Sequence, residues 1–233
     1  MAEPLVERPL LPRPAAAPYV THELYLDVFS PAQCRRIIDL GTSLPPDDGG
    51  VESSDGVALD PTLRETAVAW IPPEPATEWI FRKLAAIAQR ANRRYRFDLT
   101  GFEEDLQFTT YEQPGAFYTW HQDGLDGPVA HRKLSLVVQL SDPDDYDGAE
   151  LELFQVHADY DDEDLATFRA QSTARGTVVV FPSLEYHRVT PLRSGIRHSL
   201  VSWVSGPPFR RAPTSGVRPC PPRPRVPGSV EVP

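Results

Sequence analysis

A chain of 233 residues is long enough for one domain with a sizeable core. Its formal net charge of -10 is unevenly spread: from Pro207 onward Arg210, Arg211, Arg218, Arg223 and Arg225 face only Glu231, which leaves the preceding body at -14. An acidic body repels a phosphate backbone, which argues against nucleic acid as a partner.

Residues 1–18 read as an extended Pro/Ala leader, and Glu3, Glu7, Arg8, Pro9, Pro12 and Pro14 interrupt the apolar run that a secretory signal needs. The first helix is expected at Ser30, whose hydroxyl can cap it. Pro31 takes the first helical position, Gln33 completes a capping box and Gly41 supplies a C-terminal stop. Cys34, Ile37 and Ile38 give this helix one buried face. The stretch from Leu44 to about Asp60 is rich in Pro, Asp, Gly and Ser, and is expected to be a loop able to act as a lid. A second helix, from about Thr77 to Arg94, sets Ile80, Leu84, Ile87, Ala88 and Ala91 at helical spacing, with Arg82, Lys83 and Arg90 outside, and should back a sheet.

From Leu106 the period changes to two: Leu106, Phe108, Thr110; Phe117, Thr119, His121; Leu134, Leu136, Val138, Leu140; Leu151, Leu153. Two further strands, Thr177 to Phe181 and Ile196 to Val204, follow turns at Gly176 and at Pro191 to Gly195. Short strands after two helices predict an α+β, mainly β fold, a helix-supported β-sandwich or jelly roll, over 19–206. Residues 207–233 are expected to be a solvated, disordered Pro/Arg-rich tail. Two acidic stretches have plain readings. Asp142, Asp144, Asp145 and Asp147 lack the calcium-loop pattern at Tyr146, Gly148 and Leu153 and read as a strand connection; Asp159 to Asp164 reads as a solvated loop. Cys34 and Cys220 suggest neither a disulfide framework nor a zinc cluster, and no apolar stretch approaches a membrane span. The expected setting is cytoplasmic, without a membrane partner.

The chemistry centres on His121 and Asp123. Residues two apart in an extended strand face the same way, so an imidazole and a carboxylate are presented to one point. A third ligand must come from elsewhere, and His187 is the best candidate because it follows the buried-looking strand ending at Phe181 and Pro182. His22, His131, His157 and His198 compete. His198 alternates with Arg197 and should point away from it, while His131 and His157 sit in polar connections. Two imidazoles and a carboxylate with open positions suit a non-haem Fe(II) oxygenase, and a nearby guanidinium suits an acidic co-substrate. Arg197 shares a strand face with Ser199, Val201 and Trp203. Burying its charge unpaired would cost roughly several kcal/mol, so it needs an anion, either a co-substrate or, as the structural alternative, Glu150 or Glu152.

The run Tyr111 to His121-Gln122-Asp123, with Arg132-Lys133-Leu134-Ser135, Asp145 to Leu151, and Phe181-Pro182 through His187 to Arg197, resembles the Fe(II)/2-oxoglutarate-dependent dioxygenases of the prolyl 4-hydroxylase-like, PKHD type. The likeness spans roughly Leu106 to Arg210. It implies a double-stranded β-helix supported by N-terminal helices, with Fe(II) held by His121, Asp123 and His187. It further implies that Arg197 and Ser199 bind the distal carboxylate of 2-oxoglutarate, helped by Gln139, and that Tyr111 hydrogen-bonds the co-substrate near the metal. Many prolyl 4-hydroxylases have lysine at the position of Arg197; this chain agrees with the bacterial branch. Trp203 and Trp120 would line the substrate pocket; Tyr111 and Trp203 also suit a role as core aromatics, and a purely structural role suits Gln139 as well as a binding one.

The implied activity hydroxylates an aliphatic C–H of an amino acid, a prolyl-like peptide residue or a natural product, with O2 consumed and succinate and CO2 released. The carboxylate of Asp123 favours hydroxylation, since related halogenases lack one there, and the resemblance leaves room for stimulation by ascorbate. Two other readings stay open: a non-catalytic jelly-roll module that binds peptide or protein around a structural metal, and a cupin-like metalloenzyme that uses no 2-oxo acid. Substrate identity and oligomeric state are not legible.

Overall fold

The computed structural model describes residues 19–48, 51–53, 56–58, 64–125 and 127–208. The expected leader, most of the tail and much of the proposed lid lie outside the described residues. In chain order the elements are β1 (Glu23–Tyr25), α1 (Pro31–Ser43), β2 (Asp47–Asp48), β3 (Val51–Ser53), β4 (Gly56–Ala58), β5 (Ala67–Ile71) and α2 (Glu78–Tyr95). They are followed by β6 (Leu106–Tyr111), β7 (Tyr118–His121), β8 (Arg132–Gln139), β9 (Tyr146–Gly148), β10 (Leu151–Leu153), α3 (Phe154–Asp159) and α4 (Asp162–Thr173). The last four strands are β11 (Val178–Pro182), β12 (His187–Val189), β13 (Leu192–Gly195) and β14 (Arg197–Ser205).

Seven strands form a major antiparallel sheet in the order β1-β11-β8-β14-β6-β5-β2, and β10-β12-β7 form a minor one. The strands cross over instead of following chain order, as expected of a jelly roll. The period-two alternation divides the major sheet by chemistry. Leu106 and Phe108 of β6, Leu134, Leu136 and Val138 of β8, and Leu200 and Val204 of β14 join Ile37, Ile80 and Leu84 of the two long helices in one core. The intervening residues, among them Thr109, Tyr111, Val137, Arg197, Ser199 and Trp203, face the minor sheet across a cavity.

Helix α1 begins as its sequence dictates. The Ser30 hydroxyl accepts from the Gln33 N–H at 3.3 Å, and the Gln33 side chain accepts from the Ser30 N–H at 3.0 Å, which satisfies two donors that a helix start otherwise leaves bare. Its end differs from expectation. Gly41 is not the stop: the helix runs on to Ser43 and is capped at Leu44. Gly41 is buried, and a Cβ built on it would overlap the Phe108 ring. The glycine thus lets α1 approach β6 closely. Helix α2 needs no such device; Ile80, Leu84, Ala88 and Ala91 are buried, and Arg96 closes it in a left-handed conformation at φ 57°.

Two further departures stand out. The acidic stretch expected to be a solvated loop contains the start of α4, where the Asp161 carboxylate accepts from the Asp164 N–H at 2.9 Å and Asp162, Glu163 and Asp164 fill the first turn. Negative charge stabilises that end of a helix. Phe168 anchors α4 to a second core with Val137, Leu151, Leu153, Val179 and Phe181. Strand β5 was not expected at all, yet it extends the sheet beside β6 and contributes Val68 to the cavity wall. Asp142 to Asp145 form a connection, as read, whereas Asp147 lies within β9. Among the described residues no helix is long and apolar enough to cross a membrane.

The packing at Gly41 makes a prediction. Gly41→Val should destabilise the protein by about 1–3 kcal/mol through overpacking against Phe108, seen as a lower urea midpoint with an unchanged slope. Gly41→Val combined with Phe108→Leu should recover part of the loss.

Candidate active site

Cross-strand pairing in the minor sheet sets His187 of β12 directly opposite His121 of β7. Asp123 follows β7 in a turn held by the Gly124 N–H, which donates to the Ser183 carbonyl at 2.9 Å. Nε2 of His121 lies 3.6 Å from one Asp123 oxygen, and Nε2 of His187 lies 3.5 Å from the other. The three donor atoms fall within 4.8 Å of one another, the spacing of a facial metal site.

The ring orientations are fixed from behind. Nδ1–H of His121 donates to the Thr119 carbonyl at 2.7 Å, and Nδ1–H of His187 donates to the Glu185 carbonyl at 3.0 Å. Each bond leaves the Nε2 lone pair aimed at the common point. Burial, with the neighbouring His121, outweighs Asp123 and pushes the His187 imidazole down to about 4, so it is neutral and able to ligate at neutral pH. Burial opposes ionisation of Asp123, but His187, His121 and the Ser135 hydroxyl together hold its carboxyl far below the usual carboxylate range. Ser135 donates to the Asp123 carboxylate at 2.6 Å. The Tyr118 ring stacks on His121 at 3.5 Å and limits its rotation.

Across the cavity, Arg197 is 1% exposed. Its Nη2 donates to the Gln139 side-chain carbonyl at 2.8 Å, while Nη1 is buried without a partner among the described residues. The structural alternative for this arginine does not hold. Glu150 is paired with Arg169 at 2.6 Å and Glu152 with Arg188 at 2.7 Å. The guanidinium lies 5.3 Å from the centre of the Tyr111 ring, its cross-strand neighbour, and Ser199 is paired with Gln139. Burial pushes the Tyr111 hydroxyl up, so it stays a phenol able to donate. An orphaned guanidinium nitrogen beside a hydroxyl and a phenol is a site in want of an anion.

One cavity of about 220 Å³ is bounded by the triad, Tyr111, Arg197, Ser199 and Trp203. Gln139 does not line it and instead holds Arg197. Trp203 carries the Arg132 guanidinium 3.7 Å above its ring. Trp120 departs from expectation. It alternates with His121 along β7, so its indole turns away from the cavity to Phe154 at 5.7 Å, with Arg188 at 4.7 Å. The rival histidines stay apart. His131 is beside Glu104 at 3.2 Å, His22 packs edge-on to Phe168, and His198 stacks on Phe108 on the opposite face from Arg197. The His157 side chain lies outside the described residues.

Several cavity residues have no role in the sequence motifs: Arg64, Trp70, Gln107 and Thr109, while Arg132 belongs to the run that carries the resemblance. Gln107 and Thr109 share the parity of Tyr111 on β6 and were in principle legible. Ser135 carried a similar signal, being the polar residue between Leu134 and Leu136. Arg64 carried none, since it precedes a strand that was not foreseen.

Residues 106–205 match the family model of the 2OG-Fe(II) oxygenase superfamily. Over these residues the chain is similar to that superfamily. The matched segment contains the triad, Tyr111 and Arg197. A PKHD-type hydroxylase of Hyphomonas neptunium is 40% identical over 89 residues, covering 34% of this chain and 35% of that protein. The chain therefore spans about a third of that relative in the matching region. A PKHD-type hydroxylase of Synechococcus sp. (strain JA-2-3B'a(2-13)) is 24% identical over 183 residues, 76% of this chain and 75% of that protein. A Pseudomonas putida prolyl-4-hydroxylase superposes with a TM-score of 0.55 at 21% identity, covering 80% of this chain and 93% of that one. A Trichoplax adhaerens prolyl hydroxylase, solved with a hypoxia inducible factor peptide, gives 0.61 at 17% identity, covering 79% and 83%. At these identities the structural likeness establishes the jelly-roll fold.

The Ser135 bond generates a second prediction. Ser135→Ala should weaken divalent-metal binding by about 10–100-fold, as losses of outer hydrogen bonds to metal ligands do. Calorimetric titration with Zn(II) would measure it, with the thermal midpoint of the metal-free protein as the control for folding.

Proposed function

We propose that this chain is an Fe(II)- and 2-oxoglutarate-dependent hydroxylase acting on an aliphatic C–H of an amino acid, peptidyl or natural-product substrate, with succinate and CO2 as co-products. The observation that carries this reading is the pairing, across one cavity, of a buried His-Asp-His cluster with a buried, half-partnered Arg197. The donor set fits Fe(II), because two neutral imidazoles and one carboxylate on one side leave the other positions free. When bound, such iron couples decarboxylation of the 2-oxo acid by O2 to oxidation of a substrate C–H.

The chain's own residues have distinct tasks in this reading. His121, Asp123 and His187 hold the metal. Arg197 and Ser199 take the distal carboxylate of 2-oxoglutarate, with Gln139 steadying the guanidinium, and Tyr111 donates to the co-substrate from its protonated hydroxyl. Val137, Leu151, Val189 and Val201 form apolar wall around them and exclude water. Asp123 supplies the carboxylate that favours hydroxylation. Residues 19–206 are the catalytic unit. The prolyl hydroxylases of Pseudomonas putida and Trichoplax adhaerens favour a prolyl-like or peptidyl substrate within the wider class. An acidic body argues against nucleic acid as a partner.

The test is anaerobic addition of Fe(II) and 2-oxoglutarate, which should produce a weak visible absorption; admission of O2 should then release succinate. Arg197→Ala should raise the 2-oxoglutarate requirement at least about tenfold, the least expected from removing one partner of a buried charge pair, while iron stays bound. A folded protein with neither absorption nor succinate would overturn the reading. Loss of iron in Arg197→Ala would reassign that residue.

A further inference from the structure

We infer that Arg64 is the substrate-recognising cation of this cavity and that the substrate carries a carboxylate close to the C–H that is oxidised. The inference rests on the oxygenase reading and deepens it by naming the substrate's chemical class. Arg64 is 8% exposed and lines the same cavity as the triad. It shares parity with Val68 and Trp70 along the segment leading into β5, and both of these also face the cavity.

Its surroundings hold the guanidinium without neutralising it. Nε donates to the Thr66 hydroxyl at 2.7 Å, and Nη1 makes a long bond of 3.4 Å to the Gln107 side-chain carbonyl. The plane lies 4.8 Å from the centre of the Tyr118 ring. All three partners are uncharged. Among the described residues no carboxylate stands within ion-pair distance of Arg64, although the body is strongly acidic. The other cavity charges are committed. Arg132 has Glu104 at 2.7 Å, Asp123 faces the two imidazoles, and the exposed Asp47 accepts from the Trp70 indole at 3.3 Å.

A cation buried with neutral partners lacks the compensation that buried charges require, and attraction to one aromatic face offsets only part of that deficit. Arg197 poses the same problem, and the 2-oxo acid answers it. Arg64 requires a second anion. A single guanidinium suits the one charge of a carboxylate, whereas a phosphate group carries nearly two and usually gathers several donors. Location adds the functional content. The Tyr118 ring has Arg64 over it and is itself stacked on His121, so Arg64 is linked to the metal-ligand cluster through one aromatic ring and shares its cavity. Gln107 and Thr109 line the wall beside it, joined by a hydrogen bond of 3.1 Å, and present a polar flank for the remainder of the substrate.

The test uses the full chain with Zn(II) in place of iron and saturating 2-oxoglutarate, so that Arg197 is occupied and no turnover occurs. Trp70 and Trp203 line the cavity, so tryptophan fluorescence reports its occupancy. Three probes are titrated: N-acetyl-L-valine, N-acetyl-L-valinamide, and the α-amide of N-acetyl-L-glutamate. At least one carboxylate probe should bind tenfold or more tighter than the neutral amide. The first would indicate an α-carboxylate and the third a side-chain carboxylate. Arg64→Gln should abolish the preference, and Arg64→Lys, which keeps the charge, should retain part of it. Equal binding of all three probes, no binding of any, or a preference that survives Arg64→Gln overturns the inference. Failure of 2-oxoglutarate itself to bind would sink the oxygenase reading alone, because the carboxylate preference and its dependence on Arg64 are read separately.

Discussion

The pairing of β7 with β12, which sets His121 opposite His187, is the constraint on which the site depends. Neighbouring strands lie close enough that two facing imidazoles converge without any loop having to place them. The carbonyls of Thr119 and Glu185 then turn both rings the same way, so that Nε2 of each points to Asp123. A donor set built on paired strands has little freedom to open, which is what a metal site requires when its remaining positions must receive ligands that come and go. Val189 of β12 and Tyr118 of β7 pack beside that pairing with Tyr111, Ala149 and Leu192.

Charge organises the rest. Besides Arg132, which is paired with Glu104, the cavity buries two guanidinium groups, Arg197 and Arg64, in a strongly negative domain, and among the described residues no carboxylate neutralises either. Glutamates that were plausible partners for Arg197 are engaged elsewhere, Glu150 by Arg169 and Glu152 by Arg188. Leaving a buried cation without its counterion costs stability, so such a residue persists where an incoming anion restores the balance. Arg197 and Arg64 give the cavity two anion-seeking ends with the His-Asp-His cluster between its walls. This arrangement favours an enzyme over a module that merely survives on an old scaffold, for which unpaired buried charge would be pure cost.

The limits of reading the chain directly are physical. The Ser30 capping box is local, made between residues three apart, and formed as expected. Gly41 shows the opposite case. A glycine near the end of a helical pattern reads as a stop, but its reason lies in Phe108 on a strand far along the chain. The acidic stretch around Asp161 reads as a solvated loop from its charge alone, whereas in the fold those charges cap and charge-match a helix start. Trp120 is adjacent to His121, and alternation along a strand sends adjacent side chains to opposite faces, so its indole lies away from the pocket.

The sequence by itself determined the elements governed by short-range periodicity and the identity of the triad, since H-x-D spacing, a buried strand before His187 and the R-x-S of the last strand are properties of neighbouring residues. Tertiary structure alone decided which polar side chains share the cavity, because membership depends on strand register and crossover, and these bring together residues as distant as Arg64, Gln107, Tyr118 and Arg197. It also decided that Arg197 and Arg64 have no carboxylate partner among the described residues, for the absence of a counterion is a property of everything packed around a charge and is written in no local stretch of the chain.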